Sequence, residues 1–160
     1  MKIDYSKPKT VMTLCVLRKG DDLLMGMKKV RFGRGNYNGY GGKVGPGESM
    51  EECLIREIKE ESGIDLLKFE KRGVMTFELV DSVKEVHIFE GISWIGEAIE
   101  SEEMAPIWFH KDDLPFDKMW SSDKFWYPYF FNRDYFEGWL IFDENHQVLD
   151  SEIHKIDKNF

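Results

Sequence analysis

Glu57, Glu60 and Glu61 crowd into a single short stretch of the chain, and Glu48 stands a little ahead of them. Carboxylates are hard oxygen donors. Clustered, they suit a hard divalent cation such as Mg²⁺, which is typically held by a few carboxylates together with substrate phosphates. The segment carrying them reads as a helix over 50–62. Ser49 is its N-cap, Glu52 completes a capping box, and Gly63 supplies a left-handed stop. At about 100° per residue, Met50, Cys53, Leu54 and Ile58 share one face, which should be buried. Glu57 and Glu61 project onto the same arc, with Glu60 beside Glu57. Ionised carboxylates on a buried face are costly unless a cation compensates them. Arg56, or exposure at the helix edge, would serve for one of them. Three carboxylates in one turn exceed what a single guanidinium can neutralise, whereas a divalent cation meets the need and Glu48 would add a fourth oxygen.

The elements that must position this helix are mostly strands. Residues 10–17 and 22–27 read as two strands joined by a turn at Lys19–Asp21. Seven of the 14 glycines fall between Gly33 and Gly47, a stretch that cannot be a regular helix and that lets backbone approach a ligand closely. Residues 73–80, 84–95 and 104–110 alternate as strands do. A second helix is expected at 122–133, then a hairpin of 135–143 and 146–150 turning around Asp143–Asn145. Between Trp108 and Phe142 lie 14 of the 23 aromatic residues, enough for core and for the walls of a flat-ligand pocket.

Composition narrows the classes. A chain of 160 residues, 42% hydrophobic, is expected to form one domain with an ordinary core. The net charge of −8 is badly placed for polymeric nucleic acid, whose binding rests on neutralising phosphates. A small anionic ligand is acceptable where metal ions stand between it and the acidic groups. No apolar run approaches the roughly 20 residues that span a bilayer. The start MKIDYSKPKT has no apolar stretch, and Cys15 and Cys53 sit in apolar patterns as reduced core thiols. A cytoplasmic, monomeric protein without membrane partners is expected. His87, His110, His146 and His154 show no metal-ligand spacing and read as surface or strand residues.

Gly42, Glu48, Arg56, Glu57, Ile58, Glu60, Glu61, Gly63 and Ile64 spell G-x5-E-x7-R-E-U-x-E-E-x-G-U, with U a bulky aliphatic. This resembles the complete signature of the Nudix hydrolases; a chance match is on the order of 10⁻⁸. The resemblance implies an α+β fold, an α/β/α sandwich with a mixed sheet between helices and a loop–helix–loop catalytic motif. It also implies cleavage of a nucleoside diphosphate linked to another group, with Mg²⁺ or Mn²⁺. Glu57, Glu60 and Glu61 would be metal ligands, with Glu57 or Glu60 also the candidate base. Glu48 would assist at the metal or orient Arg56, and Arg56 would orient glutamates. Gly42 would supply a backbone ligand or a tight turn.

The flanks LLMGMKK (23–29), FGRGNYNGYGGKV (32–44), FELV (77–80), ESEEM (100–104), and PFDKMW with FWYP (115–128) are similar to the MutT-homologue branch of that family. That branch hydrolyses oxidised purine nucleoside triphosphates such as 8-oxo-dGTP to the monophosphate and pyrophosphate, sanitising the nucleotide pool. The similarity implies that Asn38 reads a purine edge, Trp120 stacks on it, and Phe32 and Phe77 wall the pocket. Asp123 would bond the Watson–Crick edge, Thr13 and Lys28 would lie near base or sugar, and Glu103 would join the metal site. The alternatives are a Nudix pyrophosphatase acting on ADP-ribose, dinucleoside polyphosphates or alkylated purine nucleotides, or a catalytically silent nucleotide-binding module. The branch has two adjacent acidic residues where this chain has Ser122 and Asp123. Without an acidic neighbour Asp123 is expected to ionise readily and to accept only, favouring guanine-type bases.

Overall fold

Strand β1 (Lys9–Lys19) lies at the centre of the architecture, because both of its faces are covered. Val16 packs on one side with Leu23, Met25, Ile88, Trp126 and Phe130, while Cys15 and Leu17 pack on the other with Leu24, Leu54, Ile58 and Phe89. A strand buried on both faces reads as a continuous apolar run, and TLCVL is one. The computed structural model describes residues 2–158.

Around β1 the chain builds β2 (Asp22–Lys28), β3 (Tyr37–Asn38), β4 (Tyr40–Lys43), β5 (Asp65–Glu78), β6 (Val83–Ile95), β7 (Met104–His110), β8 (Tyr135–Phe142) and β9 (Val148–Ile156). The path runs β3-β2-β1-β6-β5-β8-β9, with β4 added to β1 and β7 to β2. The β1–β6 and β5–β8 pairs are parallel and the others antiparallel, a mixed sheet. Helix α1 (Met50–Ser62) covers one face through Leu54 and Ile58. Helix α2 (Asp123–Phe131) covers the other through Trp126, Tyr127 and Phe130. The expected helix–sheet–helix layering is therefore present. No helix among the described residues is long and apolar enough to cross a membrane.

Several boundaries differ from the sequence-based expectation, each for a physical reason. The first turn is shorter than expected, since Lys19 already pairs with Asp22. Strand β5 begins at Asp65 rather than 73, because register shifts at Leu66/Lys68, Lys68/Phe69 and Lys71/Gly73 erase the alternation that would mark it. The glycine-rich stretch holds two short strands, β3 and β4, carried by hydrogen bonds to β2 and β1 rather than by side chains. Helix α2 stops at Phe131, short of 133, and β9 runs on past 150 to Ile156.

Helix α1 forms as its caps dictate. The Ser49 side chain accepts from the Glu52 N–H, the Glu52 side chain accepts from the Ser49 N–H, and Gly63 takes φ 77°. A Cβ at Gly63 would stand 3.0 Å from the Ile99 side chain as well as forcing a left-handed backbone on an L residue. Gly63→Ala should therefore cost about 1 kcal/mol or more, read as a lower urea midpoint with unchanged m-value.

Candidate active site

The signature carboxylates emerge from α1 at graded depths. Glu61 is buried, Glu57 is largely so, and Glu60 is exposed. Arg56 ties three acids together. Its Nε and Nη2 donate to Glu48 at 2.6 and 2.9 Å, a bidentate pair, and its Nη1 donates to Glu57 at 2.9 Å and Glu60 at 3.2 Å. These bonds and the Gly45 N–H hold Glu48 down near a pKa of about 2. Arg56 thus supplies the local cation, but it does not reach Glu61. That carboxylate accepts from the Gly41 N–H at 2.9 Å. Burial pushes it up to about 8, the Gly41 bond opposes this, and the charges of Glu57, Glu103 and Glu60 add to the rise. Burial also raises Glu57.

Strand β4 lies close under these acids. A Cβ on Gly42 would fall 2.5 Å from Glu57 Oε1, so Gly42 is needed as space for that carboxylate rather than as a tight turn. Thr13 pairs with Gly42 across the sheet, and its hydroxyl lies 3.4 Å from Cys53 Sγ and 3.5 Å from the Gly42 carbonyl. Glu103 stands half exposed at the start of β7, 3.6 Å from Arg31, and its charge is felt by Glu57 and Glu61. The donor set is all oxygen, offers more carboxylates than Arg56 can pair, and holds two, Glu57 and Glu61, whose ionised forms burial disfavours and a cation would favour. These residues fit a hard divalent cation. Among the described residues no three such groups already converge on one point, and Arg56 engages Glu57 and Glu60 instead.

Above the sheet, a cavity of about 260 Å³ is lined by Thr13, Lys28, Phe32, Asn38, Phe77, Trp120 and Asp123, together with Ser122 and Glu61. It is lined by Glu61 of α1 and by Asp123 and Trp126 of α2, so it reaches from the carboxylate helix to the second helix. Every base-pocket residue expected from sequence lies on its wall. Asn38 Oδ1 accepts from the Gly39 N–H, the turn-type bond such a pair makes. Phe32 meets Trp120 at 5.6 Å between ring centroids, and Phe77 meets Phe142 at 5.9 Å.

Asp123 departs from expectation. It is only 4% exposed, its Oδ1 accepts from Trp126 Nε1 at 3.2 Å, and its Oδ2 is buried with no hydrogen-bond partner among the described residues. Burial pushes its pKa up to about 7, opposed by the Trp126 bond. The acid therefore holds its proton far more readily than the absence of an acidic neighbour implied, because desolvation outweighs the relief of repulsion. It does not cap α2; Ser122 occupies the N-cap position, with no side-chain capping bond.

Residues 7–150 match the NUDIX domain family. The chain belongs to the Nudix family. The curated relatives include the oxidized purine nucleoside triphosphate hydrolase of Danio rerio, 39% identical over 150 residues, covering 92% of this chain and 94% of the relative. The enzyme of that name from Mus musculus is 38% identical over 147 residues, covering 91% and 94%. Among solved structures, the MutT protein of Bacillus halodurans superposes with a TM-score of 0.81 at 25% identity, covering 90% of this chain and 97% of its own. Nudix hydrolases generally use divalent metals, in agreement with the donor set.

In this Nudix chain two residues escape a reading by motif. Lys84 lines the cavity from β6, opposite Phe77 in the sheet, and no local pattern marks it. His146 packs against the outer side of the pocket wall, brought there by a hairpin. Only the even–odd phase of β6, which puts Lys84 with Val86 and Ile88, could have flagged the first.

The raised Asp123 pKa makes a stability prediction. The folded state keeps this proton to about pH 7, whereas the unfolded chain releases it near the ordinary aspartate value of 3.8. The stabilisation is full below that lower value and is lost as pH rises through 7, each tenfold gain in proton affinity on folding being worth about 1.4 kcal/mol. Urea unfolding from pH 4 to 8 should show Asp123→Asn gaining on the parent protein as pH rises; parallel profiles would show an ordinary, ionised Asp123.

Proposed function

We propose that this chain hydrolyses oxidised purine nucleoside triphosphates, 8-oxo-dGTP foremost, to the monophosphate and pyrophosphate, with Mg²⁺ and with Mn²⁺ as a substitute. The observation that carries this reading is the continuity of the cavity, in which Glu61 of the carboxylate helix and Asn38, Trp120 and Asp123 share one wall. A base seated between the aromatic side chains would thereby extend its triphosphate toward α1. The names of the Danio rerio and Mus musculus relatives support the same substrate class. The chain acts on free nucleotides, as a cytoplasmic monomer of one domain; its charge of −8 disfavours polymeric nucleic acid.

Glu57, Glu60 and Glu61, with the Gly42 carbonyl and Glu103, would hold the metal. When bound, the metal offsets charge developing on the pyrophosphate and lowers the pKa of the attacking water. Glu57 or Glu60 accepts that water's proton at a carboxylate oxygen. Glu48 and Arg56 act through their bidentate pair, which sets the Arg56 guanidinium against Glu57 and Glu60. Trp120 stacks on the base, Phe32 and Phe77 wall it, and Asn38 reads its edge. Lys28 lies near base or sugar. Thr13 supports the site from below, its hydroxyl being turned toward Cys53 and the Gly42 carbonyl.

Pyrophosphate release over a panel of nucleotides with Mg²⁺ tests the assignment. Preference for ADP-ribose or a dinucleoside polyphosphate would overturn the substrate, and no release from any nucleotide would point to a silent module. Glu61→Gln should lower turnover by orders of magnitude while leaving the melting temperature unchanged or higher, since Gln keeps the volume and the acceptor for the Gly41 N–H and carries no charge to desolvate above about pH 8. Full turnover in that variant would displace Glu61 from the metal site.

Asp123 sets the base preference. As a neutral acid it presents both a donor and an acceptor; ionised, it only accepts, which suits the N1–H and amine of a guanine-type edge. The ratio of kcat/KM for 8-oxo-dGTP over 2-oxo-dATP should therefore climb as pH passes 7, and Asp123→Asn should flatten that climb.

A further inference from the structure

The stacking residue of the base pocket is held from outside by a ring that never enters the cavity. Three segments distant in sequence meet there: the glycine-rich loop carrying Phe32, the approach to α2 carrying Trp120, and the β8–β9 turn carrying His146. Their ring centroids form a closed triangle, 5.6 Å between Phe32 and Trp120, 5.0 Å between Phe32 and His146, and 5.5 Å between Trp120 and His146. Phe32 and Trp120 line the base cavity, and all three line a second cleft on the outer side. His146 is thus the outer buttress of a wall whose inner surface would face the base.

Two further observations show that this placement is built. His146 adopts φ 61°, in the left-handed region, which glycine adopts freely and histidine more readily than most side chains. The turn is otherwise well made, with Asp143 Oδ1 accepting from the Asn145 and Gln147 N–H groups and the Asp143 carbonyl accepting from the His146 N–H. Backbone requirements alone would therefore be met as well by glycine at 146. The His146 carbonyl also accepts from Ser121 Oγ at 2.6 Å, which ties the turn to the residue after Trp120. Phe32 is 62% exposed, and its ring packs on those of Trp120 and His146.

We infer that His146 is a positioning residue for base binding, its ring holding Trp120 and Phe32 in the stacking arrangement before the nucleotide arrives. This rests on the base-pocket reading above. A wall already in place lowers the ordering cost of binding and leaves the phosphate chemistry on the α1 side untouched. The effect therefore belongs in KM and not in kcat.

The test separates ring from backbone. His146→Gly removes the ring and suits the left-handed turn; it should raise KM for 8-oxo-dGTP about three- to tenfold, as expected for lost ring contacts, with kcat and melting temperature essentially unchanged. His146→Phe keeps a ring but is strained there; it should keep KM within about twofold of the parent while lowering the melting temperature. Parental KM in His146→Gly, or KM rising in both variants in step with lost stability, overturns the positioning role. Trp120→Ala is the companion measurement. If it leaves KM unchanged, the base pocket itself is misplaced and this inference falls with it. If it raises KM while His146→Gly does not, the pocket stands and only the role of His146 is refuted.

Discussion

Negative charge gathered on the covered side of a helix is the constraint around which the rest of this molecule is arranged. Desolvation opposes each ionised oxygen, and neighbouring carboxylates oppose one another. The chain answers with Arg56, whose fork reaches Glu48, Glu57 and Glu60, and with the Gly41 N–H, which is what Glu61 receives among the described residues. That uneven answer leaves Glu61 up at about 8 and Glu48 down at about 2. A cation placed beside Glu61 would draw it back toward the ionised form. The same crowding explains Gly42 within β4, since a side chain there would occupy space held by the Glu57 carboxylate, while one at Gly41 would meet the Thr13 backbone.

The opposite face of the sheet is organised by aromatic packing and by cations at its far end. Trp126 lies stacked between Tyr127 and Phe136, at centroid distances of 4.0 and 6.3 Å. Arg18 donates to the Phe130 and Phe131 carbonyls, and Arg72 to that of Arg133, so the C-terminal end of α2 is gripped by side chains of β1 and β5. Glu90 at 3.2 Å from Arg72 keeps this end from being purely cationic. Fixing the C-terminal end of α2 fixes its first turn, where Asp123 sits. Strand β1 is common to both faces, which is how one cavity can join a carboxylate cluster to an aromatic pocket.

Those features whose cause lies within a few residues were legible in sequence. Helix α1, its capping box and its Gly63 stop rest on contacts within a turn, and they appear where the residues imply. The carboxylate cluster was legible for the same reason, because one helix carries Glu57, Glu60 and Glu61 at spacings that fix their relative direction. Strand phases were legible only where the ladder is regular. The first part of β5 was hidden by its bulges, β3 by being only two residues long, and β4 by having glycines where a strand would show its pattern.

The ionisation of Asp123, the position of His146 and the presence of Lys84 on the cavity wall were decided by tertiary structure. Sequence neighbours suggested a free carboxylate at 123, but the dielectric around a group depends on everything packed against it, and α2 buries this one beside Trp126 and Tyr127. His146 read as a surface or strand residue opening the strand at 146–150, but that strand begins at Val148 and the turn brings His146 to Trp120 and Phe32. The sequence by itself determined the helix, its carboxylates and the chemistry they suit, since these follow from i to i+4 spacing and local caps. Only the folded chain decided which charges lose water and which rings meet, because burial and ring contact arise between segments that sequence spacing does not bring together.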